Sequence, residues 1–126
     1  MLGEFRDFVK TLNIGDYFSV GKIDGSKDKS IGIYSDPAYS RVEAIGGLSS
    51  YDRASVRILV HWTKNAAETE RAARSLFEGL RYQTDFDMDG IHVQYIDLTS
   101  QEPIPVGTDD NGIYEYVIPL VIFYRR

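Results

Sequence analysis

Leu2, Phe5, Phe8, Val9 and Leu12 recur at helical spacing, with Glu4, Arg6, Asp7 and Lys10 between them. Asn13 and Gly15 supply a stop, so the pattern predicts a short amphipathic helix over residues 2–12. Two short extended segments follow, residues 17–23 and 29–34. They flank Asp24, Gly25, Ser26, Lys27 and Asp28, a polar turn that suits a hairpin. From Ser35 to Tyr51 the periodicity gives way to Pro37, Tyr39, Arg41 and the pair Gly46 and Gly47. A loop of about seventeen residues is uncommon within a domain and reads either as a partner contact or as plain surface chain.

Residues 55–62 alternate. Val56, Ile58, Val60 and Trp62 point one way and Ser55, Arg57 and His61 the other, with Leu59 the exception, as in a half-buried strand. Asn65 as N-cap, with Glu68 three residues on in a variant of the reciprocal capping arrangement, opens the strongest helix, about Ala66 to Arg81. Ala66, Ala72, Ala73, Leu76, Phe77 and Leu80 form its apolar arc. Glu70 and Arg74 are spaced for an i,i+4 pair.

Residues 91–98 read as another strand and residues 113–124 as a long final one. Residues 99–112 join them as the extended tip of a hairpin, with Asn111-Gly112 favouring a tight reversal. The final strand is apolar on both faces, with Tyr114, Tyr116, Ile118, Leu120 and Ile122 on one and Ile113, Val117, Val121 and Phe123 on the other. Its second face therefore calls for a cover, either another segment of the chain or a neighbouring subunit. Pro119 cannot donate to a ladder and is expected at an edge or a bulge. No internal repeat, linker or low-complexity tract occurs. The pattern predicts a single α+β domain over residues 1–126, in the order α-β-β-loop-β-α-β-β. Its sheet is mainly antiparallel, with mixed pairing left open, and has four to five strands with two helices packed on one face.

Composition narrows the chemistry. The chain has 126 residues, long enough to bury about two thirds of its unfolded surface without staples. The absence of cysteine excludes disulfides, thiolate nucleophiles and zinc thiolate sites. A formal charge of −5 has the wrong sign for gripping phosphates, so nucleic acid is a poor direct ligand. The longest apolar run, residues 117–124, is far short of a spanning helix. The first ten residues lack the basic start and apolar stretch of a secretory signal, so synthesis and retention in a cytoplasm are expected.

One segment resembles a ligand motif. Asp85-Phe86-Asp87-Met88-Asp89-Gly90 matches the opening of a calcium loop, but the twelfth position, which needs a bidentate Glu, is Ile96. A solvated acidic turn between helix and strand is the expected alternative. His61 and His92 lie on separate strands without the spacing that brings two histidines to one metal. Gly46-Gly47-Leu48-Ser49 lacks the context of a serine nucleophile, and no dinucleotide or phosphate loop is present. The adjacent carboxylates Asp109 and Asp110 read as hydrated loop residues. No catalytic, cofactor-binding or metal-binding residue is therefore expected. Nine Tyr and six Phe instead offer rigid apolar bodies suited to surfaces that meet partners.

The stretch from Lys29 to Tyr34, the Gly46-Gly47 loop, and residues 51–62 leading into Ala66 to Leu80 together resemble the minor capsid proteins of tailed bacteriophages and prophages. These are similar to tail-terminator and head–tail joining proteins. The resemblance covers roughly residues 15–123 and rests on the order of elements. It implies a non-enzymatic virion protein, made in the bacterial host cytoplasm, that assembles as a homo-oligomeric ring, usually a hexamer, at the head–tail junction. Its partners would be copies of itself, the tail tube and the head connector. It assigns residues 36–50 and 101–112 to subunit interfaces. Six subunits would sum to about −30, a lumen that repels passing DNA. Two other readings stand beside it. One is a small metal-dependent module or enzyme using Asp85, Asp87 and Asp89, with His92. The other is a bacterial adaptor that binds a peptide along an open sheet edge.

Overall fold

The strongest pattern in the sequence folds as read. In the computed structural model, which describes residues 1–36 and 51–125, helix α2 spans Ala66–Arg81, following α1 at Leu2–Lys10. The Asn65 side chain accepts from the Glu68 N–H at 3.0 Å. That bond satisfies one of the donors a helix start leaves open. The Glu68 carboxylate, expected to reach back to the cap, instead lies 3.8 Å from Lys29 Nζ. Glu70 and Arg74 stand 3.7 Å apart as the spacing predicts. Ala73, Leu76, Phe77 and Leu80 are buried, whereas Ala66 is exposed and Thr69 takes a buried place. Thr69 can do so because its hydroxyl donates to the Asn65 carbonyl at 2.9 Å.

The strands are β1 (Tyr17–Val20), β2 (Ser30–Ser35), β3 (Asp52–His61), β4 (Thr84–Met88), β5 (Ile91–Leu98), β6 (Ile104–Thr108) and β7 (Tyr114–Arg125). They form one mixed sheet of order β1-β2-β3-β7-β5-β4, with β6 also paired to β7. The α+β class and the two helices agree with the sequence, but the sheet has seven strands rather than four or five. Both additions lie in segments read as turns. Residues 84–88 became β4 because Asp89 and Gly90, with φ of 45° and 86°, close a two-residue hairpin between Met88 and its partner Ile91. Residues 104–108 became β6 because the reversal into β7 is tighter than a fourteen-residue tip. Asp109 N–H donates to the Ile113 carbonyl, and Gly112 N–H donates to the Asp109 carbonyl.

The first hairpin is a second correction. β1 and β2 pair parallel, Tyr17 opposite Ser30 and Val20 opposite Ile33. Residues 21–29 carry the chain back to the start of the pair. Ile23, expected within the first strand, lies in this connection over Gly32, where an added Cβ would sit 2.7 Å from Ile23 Cγ2 and 2.8 Å from Tyr34 Cε2. The loop from Ser35 to Tyr51 falls, apart from its ends, outside the described residues.

β7 is the central strand. It pairs with β3 over ten residue positions on one side, and on the other side with β5 and then β6. Pro119 lies inside this central strand but at a local edge, since β5 ends at Leu98 opposite Leu120 and β6 begins at Ile104 opposite Val117. Its carbonyl accepts from the Thr99 N–H at 3.2 Å, so its nitrogen also faces the gap where β5 has ended and β6 has not begun. No ladder donor is lost there. An irregularity between Val93 and Tyr95 shifts the alternation of β5, so that Val93 and Ile96 both point inward.

Both helices lie on one face. α2 packs on β3, β5 and β7, and α1 on β1, β2 and, from the far end of the strand order, β4. A helix that touches both ends of a sheet requires the sheet to curl around it. Phe8 of α1 stacks on Phe86 of β4, with ring centroids 4.5 Å apart. Phe5, Val9, Ile31, Ile33, Val56, Ile58, Val60, Leu76, Leu80, Ile118 and Ile122 make up most of the fully buried core. At about 1.5–3 kcal/mol for each large aliphatic removed from water, this face supplies most of the hydrophobic stabilisation.

Candidate functional site

The opposite face of the sheet carries no helix among the described residues. The registers set its residues in rows across β2, β3, β7 and then β5 or β6. Arg53, Phe123 and Tyr95 form one row, Ser55, Val121 and Asp97 the next, then Tyr34, Arg57 and Pro119, then Gly32, Leu59, Val117 and Ile104. β7 thus lays an apolar column between the arginines of β3 and the carboxylates of β5 and β4. Tyr95 stacks on Phe123 with centroids 4.4 Å apart, and the Arg53 guanidinium lies 5.2 Å from the Phe123 ring centre. Tyr34, Arg57, Leu59, Ile104, Val106 and Val117 line an open depression of about 330 Å³. Among the described residues, Ile23 lies across Gly32 of β2 on this side, and on β7 itself Val121 is buried while Val117 and Phe123 are half-buried.

At the upper end of this face His61 is 1% exposed. Its Nδ1 lies 2.8 Å from Glu115 Oε2, its neighbour across the β3–β7 pair, and 3.8 Å from Asp109 Oδ2, while Nε2 is buried without a hydrogen-bond partner. The Asp109 carboxyl is held below its ordinary value, chiefly by the Ile113 N–H and, against the cost of burial, by the Asn111 N–H and the charges of His61 and Lys64. The Asp24 carboxyl is lowered in the same way by the Ser26 hydroxyl and N–H.

The calcium-like segment takes a different form from either expectation. Asp85 and Asp87 lie on β4 and converge on His92, with Asp87 Oδ1 2.9 Å from Nδ1 and Asp85 Oδ1 3.6 Å from Nε2. Asp89 turns away into the hairpin. Among the described residues no group of three or more His, Asp or Glu is arranged to hold a metal ion. No described helix is long and apolar enough to cross a membrane.

The surface residues that sequence reading missed sit at the sheet's edges. Tyr17 and Val20 on β1 are 47% and 41% exposed, and Ile104 and Val106 on β6 are 42% and 50% exposed. A signal for one of them was present in the charge pattern. Between Arg81 and Arg125 there is no Lys or Arg, while eight carboxylates occur. The acidity of the chain is therefore concentrated in the half that builds β4 to β7.

Among the described residues, a helix-backed sheet whose second face carries no helix and leaves Leu59, Val117 and Phe123 half-buried, with apolar residues at its edges, has the form of a building block. Its lineage is specific: a family model described as bacteriophage tail terminator protein matches residues 8–125, so the chain belongs to that family. It is accordingly a phage structural protein, a virion component that interacts with other head or tail proteins. A search of curated proteins finds no match to the chain.

Proposed function

We propose that the chain works as a single domain, a non-enzymatic subunit of a homo-oligomeric ring, six copies in the simplest form, that closes the tail tube at the junction with the head connector. The observation that carries this reading is the family match over residues 8–125. It is supported by the half-buried apolar residues Leu59, Val117 and Phe123 on the helix-free face and by the exposed apolar residues of β1 and β6, since apolar surface of this kind marks association sites. Residues 101–112 contribute through β6, while most of the 36–50 segment, the other interface expected from the sequence, lies outside the described residues. The reading gives no catalytic, cofactor or metal role to any residue, and it leaves the Asp85, Asp87 and His92 cluster as a surface charge network. The net charge of −5 per subunit favours DNA transit through such a ring over retention.

Mass photometry of the purified protein, alone and with tail-tube protein, tests the reading. A closed ring of 14.3 kDa subunits, formed alone or on the tube protein, is the expected result. A protein that stays monomeric in both conditions contradicts it.

A further inference from the structure

Most arginines of the chain are engaged. Arg6, Arg74 and Arg81 face the carboxylates of Asp7, Glu70 and Glu78, and Arg53 and Arg125 lie over the rings of Phe123 and Tyr51. Arg57 has neither kind of partner among the described residues, and it is exposed at the wall of the depression on the helix-free face. A guanidinium is a planar fork of donors that meets a carboxylate through two parallel hydrogen bonds.

The register sets this charge against apolar surface. Arg57 pairs with Tyr34 of β2 and Pro119 of β7, and the next row on the same face is Gly32, Leu59, Val117 and Ile104. Because Gly32 has no side chain, the Tyr34 ring can lie down over it; an added Cβ would stand 2.8 Å from Tyr34 Cε2. The depression therefore has two unlike walls. Arg57 and Tyr34 bring donors on the β2–β3 side, while Val117, Ile104 and Val106 are aliphatic on the β7–β6 side, with Leu59 between them. Its volume of about 330 Å³ has room for more than one side chain, given that a closed cavity of about 150 Å³ takes a benzene ring.

No acid of the chain neutralises this site among the described residues. Glu115, one row above Leu59 on this face, is held by His61 at 2.8 Å, and Asp109 accepts from the Ile113 and Asn111 N–H groups. Asp97 stands across β7 in the row of Val121 and Ser55 and makes no ion pair with Arg57. The lining thus carries one charge, positive, in a chain whose total is −5.

We infer that the depression takes an internal segment of another head or tail protein, one in which a carboxylate side chain stands beside a large aliphatic one. The carboxylate meets Arg57, and the aliphatic body lies on Leu59, Val117, Ile104 and Val106. An internal segment fits because the depression is open, so the occupant's chain can run on at both ends. It docks by side chains rather than as an added strand, since Pro105 has no N–H and the β6 register breaks before Gly107. The partner is another virion protein because membership of the family establishes such contacts. The inference deepens the assembly reading and rests on it for the partner, not for the ring.

The probe is a blocked pentapeptide with one glutamate between two leucines, titrated into methyl-labelled protein and followed by NMR beside its glutamine analogue. The methyls of Leu59, Val117, Ile104 and Val106 should shift together. The glutamine analogue should bind roughly five- to tenfold more weakly, the scale of one charge-assisted pair. Arg57→Leu should bind both peptides equally, and Arg57→Lys should recover only part of the preference. No shift at millimolar peptide, equal affinity of the wild type for both peptides, or shifts confined to other methyls overturns the inference. Shifts of the same methyls on concentrating the protein without peptide would put a second copy in the depression and overturn it as well. Purified tail-tube or connector protein should move these methyls in the wild type and not in Arg57→Glu; if neither protein does, the partner assignment falls. A chain that takes the glutamate peptide yet stays monomeric in mass photometry overturns the ring alone, so the two failures are told apart.

Discussion

The two faces of the sheet are built from similar strands and do different work. On the helix side, Ile58 of β3 and Ile118 and Ile122 of β7 join the core on the face where α2 packs on these strands, and disappear from solvent. On the other side, Leu59 and Val117, their neighbours in sequence, border an open depression with Arg57 at its wall. A sheet can leave such a face uncovered only if the first face supplies enough burial to hold the fold, or if something else comes to cover the second. The contrast shows why the final strand is apolar on both sides. One column serves folding, and we assign the other to assembly.

The largest expected effect breaks the first face. Leu76→Ala should lower unfolding free energy by about 2–5 kcal/mol in urea titrations, because it opens a cavity under α2. Val117→Ala, across the sheet, should cost well under half of that. Equal losses would erase the distinction between the faces.

Next comes a polar pair on the open side, buried His61 with Glu115. Glu115→Ala removes the partner of a fully buried imidazole and should cost about 1–3 kcal/mol, read by the same titration. A loss near zero would mean that solvent reaches His61 easily. Asn65→Ala should cost about 1 kcal/mol through loss of the helix cap, with no change in oligomer size. Should the oligomer dissociate as well, the helix side would be part of the interface.

The smallest effect is on pH. The Asp109 carboxyl is lowered in the folded state, chiefly by the Ile113 N–H. Its contribution is therefore complete above the unfolded value of about 3.9 and is lost as pH falls through the folded one. Asp109→Asn should show a shallower decline of the urea midpoint across that acidic window. An identical decline would remove Asp109 from the turn's stabilisation.

How much was legible follows from the range over which each signal acts. α2, β3 and β5 were readable because periodicity, cap and alternation are local and agree with one another. β4 was hidden by its aspartates, which look like a metal loop until the Asp89-Gly90 turn is recognised as hairpin chemistry. β6 was hidden by Pro105 and Gly107, which ordinarily mark loops. The parallel pairing of β1 with β2 and the place of Pro119 depend on which strands come to lie side by side, and no local pattern carries that. The open face was half legible. The apolar column of β7 called for a cover, but the edge patches appear only once Tyr17 and Val106 are set at opposite ends of one layer.

Whether the sheet edges carry the assembly is read by hydrogen–deuterium exchange on dilute and on assembled protein. Amides of residues 17–20 and 104–108 should slow markedly on assembly while those of α2 keep their rates. Assembly that instead protects the outer face of α2 and leaves both sheet edges exchanging as before would contradict it.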